Sequence, residues 1–74
     1  MKTLILHHIA NGSQMIAYLN PDNISYFQAY KDGKIQSAVK MIDGTVFYST
    51  ESPKDIDLEI RKIQPNVMTE ERII

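Results

Sequence analysis

Two adjacent histidines, His7 and His8, are the first residues of this chain whose side chains could bind a metal ion. Consecutive residues of a strand point to opposite faces of a sheet, so these two imidazoles are not expected to grip one ion. The chain has no cysteine, and two histidines are too few for a histidine-based zinc site. We therefore expect no metal site, and we predict that His8 lies at a hairpin end or an interface.

Acids and hydroxyls are present, but their spacing does not suit catalysis. Asp55, Asp57 and Glu59 stand two residues apart on a predicted helix, a spacing that does not bring side chains together. The serines fit turns, strands and a helix cap better than a catalytic triad (Ser13, Ser25, Ser37, Ser49 and Ser52). The glycines fall in predicted hairpin turns rather than in a phosphate-binding loop. We expect no enzymatic activity, no catalytic residue and no cofactor.

Lysines and tyrosines on the third and fourth predicted strands form a candidate surface for a partner protein or a nucleic acid. Its members are Tyr26, Tyr30, Lys31, Lys34 and Lys40. Acids interrupt this group, no arginine belongs to it, and the tyrosines could simply pack within the sheet. A net charge of −1 and a pI near 6.0 also disfavour nonspecific binding to phosphate. DNA binding is therefore an alternative, not the leading hypothesis.

The pattern of turns and apolar residues predicts the elements that position these side chains. Asn11-Gly12, Gly33 and Gly44 mark tight turns, and Asn20 to Asn23 suggests a helical turn. The predicted strands are Lys2 to Ala10, Gln14 to Leu19, Ile24 to Tyr30, Ile35 to Ile42, and Thr45 to Ser49. The fold class is mainly β, a five-stranded antiparallel meander or small open barrel with one C-terminal helix. In the meander, the strands follow one another in sequence order.

The helix should begin at Ser52-Pro53, because a hydroxyl cap followed by proline is typical of a helix start. Ile56, Ile60 and Ile63 recur on one face, and Pro65 stops the helix. We expect one domain over residues 1–64. Residues 65–74 form a C-terminal tail that is either frayed or docked on a partner.

The first hairpin is apolar on both faces. Leu4 and Leu6 point to one side of the sheet, whereas Ile5 and Ile9 point to the other with Ile16 and Tyr18 of the next strand. One short helix covers only one face, and a 74-residue chain has little core to spare. We therefore predict a homo-oligomer that buries the face with Ile5, Ile9, Ile16 and Tyr18. The alternative is a barrel that closes over its own apolar face.

The N-terminal apolar run is short. Leu4-Ile5-Leu6 is followed at once by histidines, so it resembles neither a signal peptide nor a membrane span. We expect a soluble cytoplasmic protein with no membrane partner.

Residues 9 to 63 resemble the small flagellar FlbD family of swarming-motility proteins. The likeness lies in Ala10-Asn11-Gly12, Leu19-Asn20-Pro21-Asp22-Asn23-Ile24, Met41-Ile42-Asp43-Gly44-Thr45-Val46, and Glu51-Ser52 before an isoleucine-rich helix. This resemblance implies a short sheet followed by a helix, and a regulatory role rather than an enzymatic one. The same Asn-Pro-Asp-x-Ile and Asp-Gly-Thr-Val segments also resemble part of the β-rich DNA-binding domain of LytTR-type response regulators. The chain is also similar to small proteins encoded by phages and mobile elements, and this likeness keeps a role in binding a host protein open.

These observations lead to one main hypothesis and two alternatives. The main hypothesis is a non-enzymatic binding or regulatory module that acts through protein–protein interaction, with itself and with an unidentified protein. The first alternative is a transcriptional regulator that binds DNA through the lysine-bearing strands. The second is a small-molecule binder whose site lies at a subunit interface around Tyr18 and Tyr48.

Overall fold

A computed structural model describes residues 3–63 and shows five antiparallel strands in one sheet and one C-terminal helix. The predicted fold class is confirmed, and the strand and helix bounds differ from the predicted ones by one or two residues. The elements are β1 (Leu4–Ala10), β2 (Ser13–Leu19), a 3-10 helix (Pro21–Asn23), β3 (Ile24–Asp32), β4 (Ile35–Met41), β5 (Val46–Ser49) and α1 (Pro53–Ile63). The predicted tail, residues 65–74, lies outside the described residues.

The first hairpin has a regular two-residue turn. Asn11 and Gly12 both have positive φ, 53° and 79°, which is the backbone that a type I′ turn requires. The turn sets an uninterrupted register from Ala10↔Ser13 to Leu4↔Leu19. Asparagine and glycine tolerate this conformation better than other residues, so the sequence fixes the register of the hairpin.

The strand order is not the consecutive order of a meander. The strands lie in the order β2-β1-β5-β4-β3, with β3, β4 and β5 forming a meander and β1 pairing with β5 at His8↔Ser49. The predicted meander order is therefore wrong at one place, because β2 does not neighbour β3. The hydrophobic pattern and the turns specify local hairpins, whereas the β1–β5 pair joins residues far apart in sequence.

The sheet must be strongly curled. In a flat sheet β2 and β3 would lie four strand spacings apart, about 19 Å. Only Asn20 to Asn23 link them, and the 3-10 helix that begins at Pro21 advances only about 2 Å per residue. Leu19 and Ile24 nevertheless pack into one core. Curling brings the two edge strands toward each other and agrees with the open-barrel form of the prediction.

The core lies on the concave side of the sheet, beneath α1. Ile56 of α1 is 1% exposed and packs among the buried residues Leu4, Leu6, Leu19, Val39 and Met41. Ile60 and Ile63 pack against the same cluster, which confirms the predicted apolar stripe. The helix begins as predicted, since the Oγ of Ser52 accepts a hydrogen bond of 3.1 Å from the N–H of Asp55.

Candidate interaction surface

The side of the sheet away from α1 presents apolar side chains to solvent. On the first hairpin this surface contains Ile5, Ile9, Ile16 and Tyr18, hereafter the hairpin surface. Ile5 is 49% exposed, Ile16 52% and Tyr18 70%, while Ile9 is half-buried. Ile5 lies directly opposite Tyr18, so the exposed groups are neighbours. The predicted division of the hairpin into two apolar faces is confirmed, and α1 covers only the face of Leu4 and Leu6.

No formal charge accompanies the hairpin surface. From Thr3 to Pro21 the chain has no Asp, Glu, Lys or Arg, whereas charged residues make up 23% of the whole sequence. Exposed strands normally carry charges that keep them apart from other strands. The exposed apolar side chains of the first hairpin thus have no charged residue beside them on either of its strands.

Tyrosines continue this side of the sheet beyond the hairpin. Tyr30 of β3 and Tyr48 of β5 have ring centroids 5.2 Å apart. Ala38 of β4 pairs with Tyr48 and is only 8% exposed. Because β4 lies between β3 and β5, the small side chain of Ala38 leaves room for the two tyrosine rings to meet. Within one chain, Tyr18 lies level with one end of β1 and Tyr48 lies level with the other end, so the two tyrosines do not meet there.

The predicted lysine and tyrosine group is only partly brought together. Tyr26 pairs with Lys40 across β3 and β4. Lys31 and Lys34 instead lie at the turn that joins these strands. Six residues of extended chain separate Lys34 from Lys40, which is about 20 Å. The three lysines are thus spread along the strands rather than gathered in one patch.

The two histidines point to opposite faces of the sheet, as predicted. His8 lies on the helix side, where its ring meets Phe47 edge to face at 5.0 Å. It is part of the half-buried packing in the middle of β1, not at the end of the hairpin. Within residues 3–63, no group of three or more possible ligands could hold a metal ion.

The Glu51 carboxylate joins β1 to the end of β5. Its Oε2 lies 2.6 Å from His7 Nδ1, and its Oε1 accepts hydrogen bonds from the His7 backbone N–H at 3.1 Å and from the Ser49 hydroxyl at 2.6 Å. A further bond of 2.6 Å runs from the Ser37 hydroxyl to the Glu51 carbonyl. The hydrogen bond that the His7 N–H would donate to the backbone of a longer β5 is thus accepted by the Glu51 side chain instead.

Electrostatics favour the ionised form of Glu51. Partial burial opposes ionisation, but the hydrogen bonds from Ser49 and His7 together outweigh it and hold the pKa of the carboxyl below its usual range. A carboxylate that orients an imidazole is also a feature of catalytic sites. Here, however, the Ser49 hydroxyl donates to Glu51 and not to the imidazole. We interpret the group as a structural clamp.

Sequence reasoning missed this clamp. His7 and Glu51 are 44 positions apart, and neither lies in a recognisable motif. The only local signal is Ser49-x-Glu51 just before the helix cap, where the Ser49 hydroxyl also accepts the Glu51 N–H at 2.9 Å. That pattern predicts a local turn, but it does not predict that the Glu51 carboxylate binds His7 of β1.

One open groove of about 320 Å³ lies between the tips of the two main hairpins. It is lined by Ile9, Gly12, Gln14, Asp32, Lys34 and Ile35. Neither Tyr18 nor Tyr48, around which the small-molecule alternative placed its site, lines the groove, although Ile9 of its lining lies level with Tyr48 in the register of β1 and β5. Its lining mixes apolar residues with polar and charged ones.

Comparison of the chain with protein families, curated proteins and solved structures gives no match. The resemblance to the flagellar FlbD family therefore stays a prediction. Within residues 3–63, no helix has the length and apolar character to cross a membrane.

Proposed function

We propose that this chain is a non-enzymatic binding module that acts through protein–protein contacts and associates with itself through the hairpin surface. The observation that carries the proposal is the adjacent exposure of Ile5, Ile16 and Tyr18 on a hairpin without formal charge. Burying a large apolar side chain contributes about 1.5–3 kcal/mol, so covering these groups supplies a substantial driving force.

The small size of the core supports the same conclusion. Within residues 3–63, the buried hydrophobic core consists of only seven residues, and two of them are the small residues alanine and valine. The seven are Leu4, Leu6, Leu19, Ala38, Val39, Met41 and Ile56. Domains of this size gain stability when association removes further apolar surface from water. Self-association would therefore stabilise the fold as well as present a surface to a partner.

Light scattering coupled to size-exclusion chromatography tests the proposal over a concentration series. We expect a stable multiple of 8.5 kDa for the native chain. Ile16→Asp should shift the mass toward that of one chain, because a carboxylate at the hairpin surface resists burial. Ser25→Asp, at an exposed position of β3, is the matched control and should keep the native mass. A native chain that is monomeric at every concentration contradicts the proposal.

A further inference from the structure

The two edge strands of the sheet differ in how they are protected against pairing with another strand. β3 has two register shifts against β4 and ends in Lys31 and Asp32. Register shifts and charges of this kind are the usual means of blocking edge-to-edge pairing. β2 has none of them: its register with β1 is uninterrupted, and Ser13–Leu19 contains no charge and no proline. The unprotected edge of this sheet is therefore β2.

The backbone groups that β2 turns outward follow from the turn. In a two-residue hairpin the residues next to the turn, Ala10 and Ser13, exchange hydrogen bonds, and bonded pairs then recur at every second residue. The N–H groups of Met15, Ala17 and Leu19 thus point to β1. Those of the alternate residues (Gln14, Ile16 and Tyr18) point to the free edge.

An independent contact on β1 confirms this alternation. His7 lies opposite Ile16 in a pair that exchanges no hydrogen bond, so its backbone should point away from β2. Its carbonyl accepts the Thr50 N–H at 3.0 Å, and its N–H donates to Glu51. Both groups therefore face β5. Within residues 3–63, the ladder on β2 has one strand partner, β1.

We propose that β2 pairs antiparallel with β2 of a second copy of this chain, about a twofold axis at Ile16. This inference rests on the proposed function and names how the two copies meet. Ile16 would face Ile16 of the second copy, and Gln14 would face Tyr18. Each of these pairs exchanges two N–H···O bonds, so the outward groups of β2 are all satisfied.

A second copy of β2 is the partner strand that best complements β2. An interface about a twofold axis must be self-complementary, and a strand without charges brings no like charges together when it meets itself. The central pair is two isoleucines, and the side chains of Ile16 and Tyr18 from both copies then shield one another on the hairpin surface. The sheets of the two copies become one continuous sheet.

Amide hydrogen exchange of the full chain gives the first test. In a monomer, or in a dimer that meets only face to face, the outward amides of Gln14, Ile16 and Tyr18 exchange freely. Edge pairing instead protects them to the same degree as the amides of Met15 and Ala17. An oligomer in which the outward amides exchange freely overturns the edge inference and leaves the proposed function intact. A native chain that is always monomeric overturns both.

Charge substitutions test the position of the axis. Ile16→Lys places two lysines opposite each other, so we expect the dimer to be lost while circular dichroism shows a native fold. Gln28→Lys places the same charge at an exposed position of the other edge strand, β3, and should leave the dimer unchanged. A dimer that survives Ile16→Lys overturns the inference.

Paired substitutions test the register itself. Gln14→Lys and Tyr18→Glu should each weaken the dimer at least tenfold, because each leaves charges without a partner. Together they place each introduced lysine opposite the introduced glutamate of the other copy, so the double variant should recover the dimer. Gln14→Lys combined with Tyr18→Lys should not. Pairing of β2 with a peptide of another protein predicts no recovery, and that result would refute the second copy as occupant.

Discussion

Glu51 binds a residue 44 positions away in the sequence. It satisfies the backbone N–H of His7 where β5 has ended, and it holds the Ser49 hydroxyl at the same time. Hydrogen bonds to an ionised group contribute about 1.5–3 kcal/mol, more than bonds between neutral groups. The Glu51 carboxylate thus adds to the backbone pairing and core packing that join the first hairpin to the rest of the sheet.

Replacement of that carboxylate should destabilise the fold. Glu51→Gln keeps the size of the side chain but presents an amide to groups that donate hydrogen bonds, so we expect the free energy of unfolding to fall by about 1–3 kcal/mol. Urea denaturation measures this change in the free energy of unfolding. Glu59→Gln removes an exposed partner of Lys62 and should change the free energy by less than about 0.5 kcal/mol. Equal losses in both variants would refute the clamp.

The clamp also predicts how stability depends on pH. The pKa of Glu51 is lower in the folded chain than its ordinary value of 4.5. Its contribution is therefore fully present above the unfolded pKa and is lost as the pH falls through the folded pKa. The difference in unfolding free energy between the native chain and Glu51→Gln should shrink as the pH falls through the folded pKa of Glu51. A difference that persists at pH values below that pKa would contradict this assignment.

At the scale of single residues, the sequence predicts which way a strand side chain points, but it does not predict contacts between residues far apart in the chain. The alternation of strand residues correctly separates His7 from His8, because that geometry depends only on neighbours in the chain. The bond from His7 to Glu51 depends on which strands become adjacent. No local pattern contains that information.

Among the elements, α1 contributes a single buried residue at the centre of the core. Ile56 is 1% exposed, whereas Leu58, two positions later, is 46% exposed. Ile56→Ala should lower the free energy of unfolding by about 2–4 kcal/mol, because it leaves a cavity under the helix. Leu58→Ala should cost less than about 1 kcal/mol, and thermal denaturation compares the two. Similar losses would mean that the helix packs differently.

Element boundaries were predictable because short-range chemistry sets them. Asn11-Gly12 and the Ser52-Pro53 cap define their own backbone conformations, and the structure shows positive φ at the first and a capping bond at the second. The neighbours of β1 were not predictable. Its pairing with β5 closes a loop of about forty residues, and several strand orders satisfy the same alternation of apolar residues.

At the scale of the whole molecule, curling divides the apolar residues between a closed interior and an open exterior. The interior takes the leucines of the first hairpin, and the exterior keeps Ile5, Ile16 and Tyr18. The sequence indicates that both faces are apolar, but it does not reveal which one the helix covers. Register and burial together decide that question and identify the hairpin surface.

The central place of β1 in the sheet also affects the chain while it is being made. As the chain is made, the first hairpin is complete at Leu19, whereas β5, the neighbour that completes β1, begins only at Val46. Until β5 follows, both edges of this uncharged hairpin lack a strand partner, and unpaired strand edges make incompletely folded chains prone to aggregation. The sheet around β1 is therefore completed only after its last strand has been made.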